Sequence, residues 1–142
     1  MHPAFSLQGQ VALITGAGAE QGIGMACARL LAELGAQVAV AATGPRIQLR
    51  VAELRAAGHH ARGYQADLTD RPATQAMIDA VLADFGRIDI LVNNAGMATE
   101  GSPEQFAKNG SEYWWVRLVN AGPPIRAGRG TGAGWGWSRG RT

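Results

Sequence analysis

Cysteine, lysine and aromatic side chains are scarce in this chain of 142 residues. The single cysteine, Cys27, excludes an internal disulfide and fits a reducing compartment. It falls in an alanine- and leucine-rich segment, where packing is its expected role. Lys108 is the only lysine, and aromatic residues make up just 6%. Charged residues are also sparse, at 17% against 46% hydrophobic, which excludes a solvated disordered chain. No apolar run approaches the roughly eighteen residues that a membrane span requires. The opening MHPAFSLQGQ has neither a basic nor an apolar leader segment, so no secretory signal is read there. A soluble, cytoplasmic protein without a metal site is expected.

The net charge of +2 hides a division. Four of the thirteen basic residues (Arg126, Arg129, Arg139 and Arg141) fall in 121–142, which holds no acid. Residues 1–120 therefore carry nine basic against eleven acidic side chains, a net of −2. One domain with a real core fits the length, and two do not. Residues 1–120 read as that domain, and 121–142 as a Gly/Arg/Trp-rich irregular tail with no strand periodicity.

What is present centres on Val11–Gly24, VALITGAGAEQGIG. An apolar run, Val11–Ile14, breaks into a turn holding Gly16, Gly18, Gly22 and Gly24, then continues into a helical segment through Leu34. Strand, glycine turn and helix in that order make a phosphate-binding unit. Glycines let an anion approach the backbone, and the free N–H groups of the helix start then face it.

Further along, Gly35 closes the first helix and Gln37–Ala42 reads as a second strand covered on both faces. A helix is expected through Arg46–Ala57, with Ile47, Leu49, Val51 and Leu54 as its apolar positions and Gly58 as its end. Ala61–Ala66 reads as a third strand, followed by Asp67-Leu68-Thr69-Asp70. Asp70 can cap the next helix, which has Pro72 in its first turn and runs to about Phe85 before Gly86. Ile88–Val92 is a fourth strand ending in Asn93-Asn94-Ala95-Gly96. Alternation of this kind predicts an α/β protein with a doubly wound parallel sheet and right-handed crossovers. Ligands of such sheets bind at the carboxyl ends of the strands, where Thr15–Gly24, Thr43, Asp67 and Asn93–Gly96 converge. Short helices are expected near Ser102–Glu104 and Ser111–Asn120.

With Thr15-Gly16, Gly22-Ile23-Gly24, Asp67 and Asn93-Asn94-Ala95-Gly96 in place, the chain resembles a short-chain dehydrogenase/reductase. The resemblance covers residues 7 to about 120, the amino-terminal half of a family member, and implies an incomplete Rossmann-like domain. Five residues separate Gly16 from Gly22, where the family usually has three. The resemblance implies that Gly16, Gly22 and Gly24 line a dinucleotide's pyrophosphate and that Asp67 and Leu68 contact adenine, with Thr15, Gly18 and Ile23 also in the cofactor-binding set. It also implies that Asn93, Ala95 and Gly96 flank the nicotinamide side. Turn chemistry is the competing reading of Asn93 and Asn94, because Asn tolerates the left-handed conformation and caps strand ends. The end of the second strand, Ala42-Thr43-Gly44-Pro45-Arg46, has no carboxylate to read a ribose 2′-hydroxyl, whereas Thr43 and Arg46 suit a 2′-phosphate. NADP is therefore favoured over NAD. An ordinary solvated role for Arg46 is the competing reading.

The family's chemistry, hydride transfer between a nicotinamide and a small carbonyl or alcohol, uses a serine, a tyrosine and a lysine four residues after the tyrosine. Tyr113 has Arg117 at that position and follows Gly96 by only seventeen residues, so it is not read as catalytic. Lys108 precedes Tyr113 and cannot complete the pair. Asn120 matches a further active-site residue of the family, an asparagine that holds a relay water. The composition change after Asn120 motivates the expectation that the tail replaces the catalytic half, through truncation or a shifted frame. An oxidoreductase by ancestry, catalytically incomplete as given, is the expected reading. A dinucleotide-binding fragment without turnover is the second. Nucleic-acid binding through the tail's arginines with Trp135 and Trp137 is the least favoured. Family members form homo-oligomers, but an exposed fourth-strand edge argues for marginal stability and aggregation here.

Overall fold

Parallel neighbours in a sheet need long crossovers, and helices supply them while burying both sheet faces. The computed structural model describes residues 3–96 and 125–126. Over that range the elements are a short 3₁₀ turn at Pro3–Phe5, then β1 (Val11–Thr15), α1 (Ile23–Glu33), β2 (Gln37–Ala42) and α2 (Ile47–Ala56). There follow β3 (Ala61–Gln65), α3 (Arg71–Phe85), β4 (Arg87–Ile88), β5 (Ile90–Val92) and β6 (Ile125–Arg126). The main sheet has the order β3-β2-β1-β5 and is parallel throughout.

Each strand's alternation sends its side chains to two separate cores. Ala12, Ile14, Val38 and Val40 pack under α1 and α2, against Met25, Ala28, Ile47, Val51 and Leu54. Leu13, Ala39 and Ala41 face the other way, onto Met77, Val81 and Leu82 of α3. All five residues of β1 are buried, as suits a central strand flanked by β2 and β5. The doubly wound sheet expected from the sequence is therefore present.

α3 begins and ends on the signals read in the sequence. Asp70 Oδ2 accepts a hydrogen bond from the Ala73 N–H at 3.1 Å, Pro72 sits in the first turn, and Gly86 closes the helix in the left-handed conformation at φ +77°. α2 departs from its expected face. Leu49 is exposed and Arg50 is buried in its place, because Ile47, Arg50, Val51 and Leu54 share the sheet-facing stripe at spacings of three and four. Cys27 is half-buried against the α1–α2 core.

The expected fourth strand, Ile88–Val92, is divided into β4 and β5 at Asp89. Asp89 stays bound to β1: its N–H donates to Val11 O at 2.9 Å, and its carboxylate Oδ2 accepts from Val11 N–H at 2.9 Å. A side-chain oxygen thus stands where a strand carbonyl would. Arg87 holds the other carboxylate oxygen, Oδ1, through Nε at 2.9 Å and through Nη2. β4 pairs antiparallel with β6 in the register Arg87↔Arg126 and Ile88↔Ile125, a two-residue strand in a stretch whose sequence shows no strand pattern. The helices expected near 102–104 and 111–120 lie outside the described residues, as do Lys108, Tyr113, Asn120, Trp135 and Trp137.

Candidate functional site

All four strands of the main sheet run in one direction, so the segments that leave their carboxyl ends share one edge. Those segments are the glycine turn after β1, Thr43–Arg46 after β2, Ala66–Asp70 after β3 and Asn93–Gly96 after β5. The β1–β5 ladder ends at Ile14↔Val92, and side chains then continue it. Thr15 Oγ1, on a residue only 3% exposed, accepts from the N–H groups of Asn94 at 3.1 Å and Ala95 at 3.0 Å. In return the Asn94 amide Nδ2 donates to Thr15 O at 3.2 Å and Gly16 O at 3.1 Å. Two chain segments almost eighty residues apart are locked together by these four hydrogen bonds and by the Thr15 hydroxyl, which donates to Val92 O at 3.4 Å.

That lock leaves no room for a side chain at Gly16 or Gly24. Gly16 has φ +68°, and a Cβ there would lie 2.8 Å from Ala95 Cα. A Cβ on Gly24 would lie 2.6 Å from Gly16 O and 2.7 Å from Asn94 Nδ2. The first residues of α1 therefore cross directly over the clamped strand ends. Among the described residues no side chain caps α1, whose N-cap is Gly22, so its first-turn N–H groups have no side-chain acceptor there. A dinucleotide's pyrophosphate fits this helix start, which offers donors and a favourable dipole and no carboxylate of its own.

The other candidates take up places around this centre. Gly18 packs against the end of β2, where a Cβ would stand 3.1 Å from Ala42 Cβ, and Ala17 N–H donates to Ala41 O at 3.0 Å. Ile23 is 74% exposed at the mouth of the turn. Thr43 and Arg46 are exposed, and Thr43 O accepts from Gln65 Nε2 at 3.0 Å. Asp67 is exposed, with Oδ1 accepting from Thr69 Oγ1 at 2.6 Å and Thr69 N–H at 2.9 Å. Those bonds, the hydroxyl's first, hold its carboxyl below the ordinary carboxylate range. Leu68 is half-buried on the α3-side core.

Asn94 is the residue that sequence reasoning left out of the candidate set, although its side chain does the clamping. Its signal was the pairing of Thr15-Gly16 with Asn93-Asn94. Neither asparagine adopts a positive φ, so the left-handed part of the turn reading does not hold, whereas Asn94 does cap the end of a strand, through Thr15 O and Gly16 O. Asn93 Oδ1 is buried without a hydrogen-bond partner among the described residues. Among those residues there is no group of three or more His, Cys, Asp or Glu side chains that could hold a metal ion. No helix among them is long and apolar enough to cross a membrane.

A doubly wound sheet with an uncapped glycine turn at its first crossover defines a dinucleotide-binding class of fold. Comparison with known proteins narrows it. The sequence pattern of the short chain dehydrogenases matches residues 10–121, and the chain belongs to that family. It is 42% identical over 115 residues to a 2-dehydro-3-deoxy-D-gluconate 5-dehydrogenase of Pseudoalteromonas atlantica, covering 78% of this chain and 42% of that one. A cis-4-hydroxycyclohexanecarboxylate dehydrogenase of Sinomonas cyclohexanicum is 43% identical over 94 residues, covering 66% of this chain and 37% of its own. Among solved structures, a metagenomic short-chain oxidoreductase in complex with NADP superposes with a TM-score of 0.63 at 42% identity. That match covers 70% of this chain and 45% of the other. A short-chain dehydrogenase/reductase from Mycobacterium marinum gives 0.65 at 37% identity, over 73% of this chain and 44% of that one. The chain thus spans less than half the length of these relatives.

Proposed function

We propose that this chain binds a nicotinamide dinucleotide at the carboxyl edge of its sheet, with NADP(H) preferred over NAD(H). The observation that carries the reading is the α1 start, glycine-lined, without a side-chain cap and fixed by the Thr15–Asn94 clamp. In this reading Gly16, Gly22 and Gly24 receive the pyrophosphate with Thr15, Gly18 and Ile23 in the same turn, Asp67 and Leu68 the adenine, and Asn93, Ala95 and Gly96 the nicotinamide side. Thr43 and Arg46 hold the 2′-phosphate, because both are exposed at the end of β2 and no carboxylate stands in 42–46 to repel it. The NADP complex of the metagenomic relative supports the same choice.

A bound nicotinamide supplies or accepts the hydride in short-chain oxidoreductases of this kind. This chain's own residues hold and orient the cofactor. A proton donor at the substrate oxygen is also needed. Neither Tyr64 nor Tyr113 is followed four residues later by lysine: Leu68 and Arg117 stand there. The 142 residues are therefore proposed to bind cofactor without turnover of a carbonyl or alcohol, with Asn120 alone matching the family's catalytic set. Residues 1–120 are taken as a partial dinucleotide-binding domain, 121–142 as a Gly/Arg/Trp-rich tail that joins it through the β6–β4 pairing, and the compartment as the cytoplasm, in line with a single thiol.

Titration of the full chain with NADPH and NADH, read by calorimetry, tests this. Saturable binding with NADPH tighter is expected, and no oxidation of bound NADPH by added carbonyl compounds. Tighter NADH binding would overturn the NADP(H) choice, and turnover would overturn the non-catalytic reading.

A further inference from the structure

Glu20, in the glycine turn, has a defined place. Its carboxylate lies 3.7 Å from Arg50 Nη1 while its side chain stays 65% exposed. Arg50 is the buried partner, with a side chain 10% exposed, and its Nη2 also binds Glu53 Oε1 at 2.6 Å. Glu53 in turn reaches Arg29 of α1 at 3.4 Å. Turn, α1 and α2 are thereby joined in one charged chain running Glu20–Arg50–Glu53–Arg29. Arg50 Nε is buried with no hydrogen-bond partner among the described residues, where this guanidinium has two carboxylates for compensation.

The position matters because of what lies beneath it. The turn that carries Glu20 is bound to the end of β2 through Ala17 N–H to Ala41 O at 3.0 Å, and packs there through Gly18 on Ala42. Arg50 stands one helical turn beyond Arg46, whose carbonyl accepts from Arg50 N–H at 3.4 Å. In doubly wound dinucleotide folds the ribose 2′ position is read at the end of β2. Glu20 brings to that corner, from the turn, the carboxylate that 42–46 lacks.

Resting on the dinucleotide reading above, we propose that Glu20 is a specificity-determining residue for the adenine ribose. Steadied by Arg50, its carboxylate accepts a hydrogen bond from the 2′-hydroxyl of NAD(H) and opposes the 2′-phosphate of NADP(H). It tempers the preference that Thr43 and Arg46 supply, and its effect is electrostatic.

The test compares wild type, Glu20→Gln and Glu20→Asp in full-length chain, titrated with NADPH and NADH at low salt and at half-molar salt. At low salt Glu20→Gln is expected to raise the NADPH-to-NADH affinity ratio by about fivefold, the scale of one charge acting near 4 Å through water. High salt should shrink that gain, since Glu20 is exposed. Glu20→Asp keeps the charge and should keep the wild-type ratio. Equal changes for both cofactors would make Glu20 a structural residue of the turn and overturn the proposal. Wild-type binding with an unchanged ratio in Glu20→Gln would overturn it while leaving the dinucleotide reading intact. No binding by any of the three proteins would overturn both.

Discussion

The starts of α1 and α3 solve one physical problem in opposite ways. Every helix begins with N–H groups that have no partner within it. α3 satisfies its own start with the Asp70 carboxylate and a proline in the first turn. α1 begins on Gly22, with no side-chain cap and no acidic residue in its first turn. The first is a closed end that belongs to stability, and the second is an open end, which the proposed function gives to an outside anion. Both lie at the carboxyl edge of the sheet, so position alone does not separate them. Whether the chain provides its own acceptor does.

Breaking the open end should have the largest effect. Gly24→Ala places a Cβ 2.6 Å from a backbone carbonyl and 2.7 Å from the Asn94 amide. A loss of about 3 kcal/mol is expected in urea unfolding, the upper range for overpacking, together with loss of measurable dinucleotide binding. Asn94→Ala removes both amide donors to the turn at 3.1 and 3.2 Å. It should lower stability by about 1–3 kcal/mol and weaken dinucleotide binding in calorimetry, because the turn loses its anchor. Asp70→Ala attacks the closed end. It should lower stability by about 1 kcal/mol with the dinucleotide affinity of the folded protein unaltered.

The smallest effect concerns Asp67, between these two helices in the chain. Its folded titration point is depressed by Thr69, so its stabilising contribution is present above the unfolded value and is lost as pH falls through the lower folded value. Thr69→Val removes the hydroxyl donor and keeps the N–H. An NMR titration should show the Asp67 midpoint moving upward toward the ordinary range. The small stability difference from wild type at pH 7 should vanish below the folded midpoint.

The open and closed helix starts were both readable in the sequence, because caps, glycines and prolines act locally. Asp70, Pro72 and Gly86 mark α3 almost to the residue. What was not readable depended on which way one side chain turns. Two adjacent asparagines end β5, and only their place at the strand end decides that Asn94 clamps Gly16 while Asn93 does not. Apolar periodicity counted Leu49 and not Arg50 on the buried stripe of α2, since it cannot foresee that Glu20 and Glu53 compensate a buried guanidinium. Asp89 looked like one residue of a continuous strand, and nothing in an alternating pattern shows a carboxylate replacing a ladder carbonyl.

Amide chemical shifts test the contrast between the two helix starts most directly. In a titration of the isotope-labelled full chain with NADPH, the N–H resonances of Gly16 and of Gly22–Gly24 should move together and saturate. Those of Arg71, Ala73 and Thr74 should stay nearly still, because Asp70 already occupies that helix end. Saturating shifts centred on the start of α3, or a folded chain whose Gly22–Gly24 resonances do not respond, would contradict the assignment of the glycine turn as the dinucleotide site.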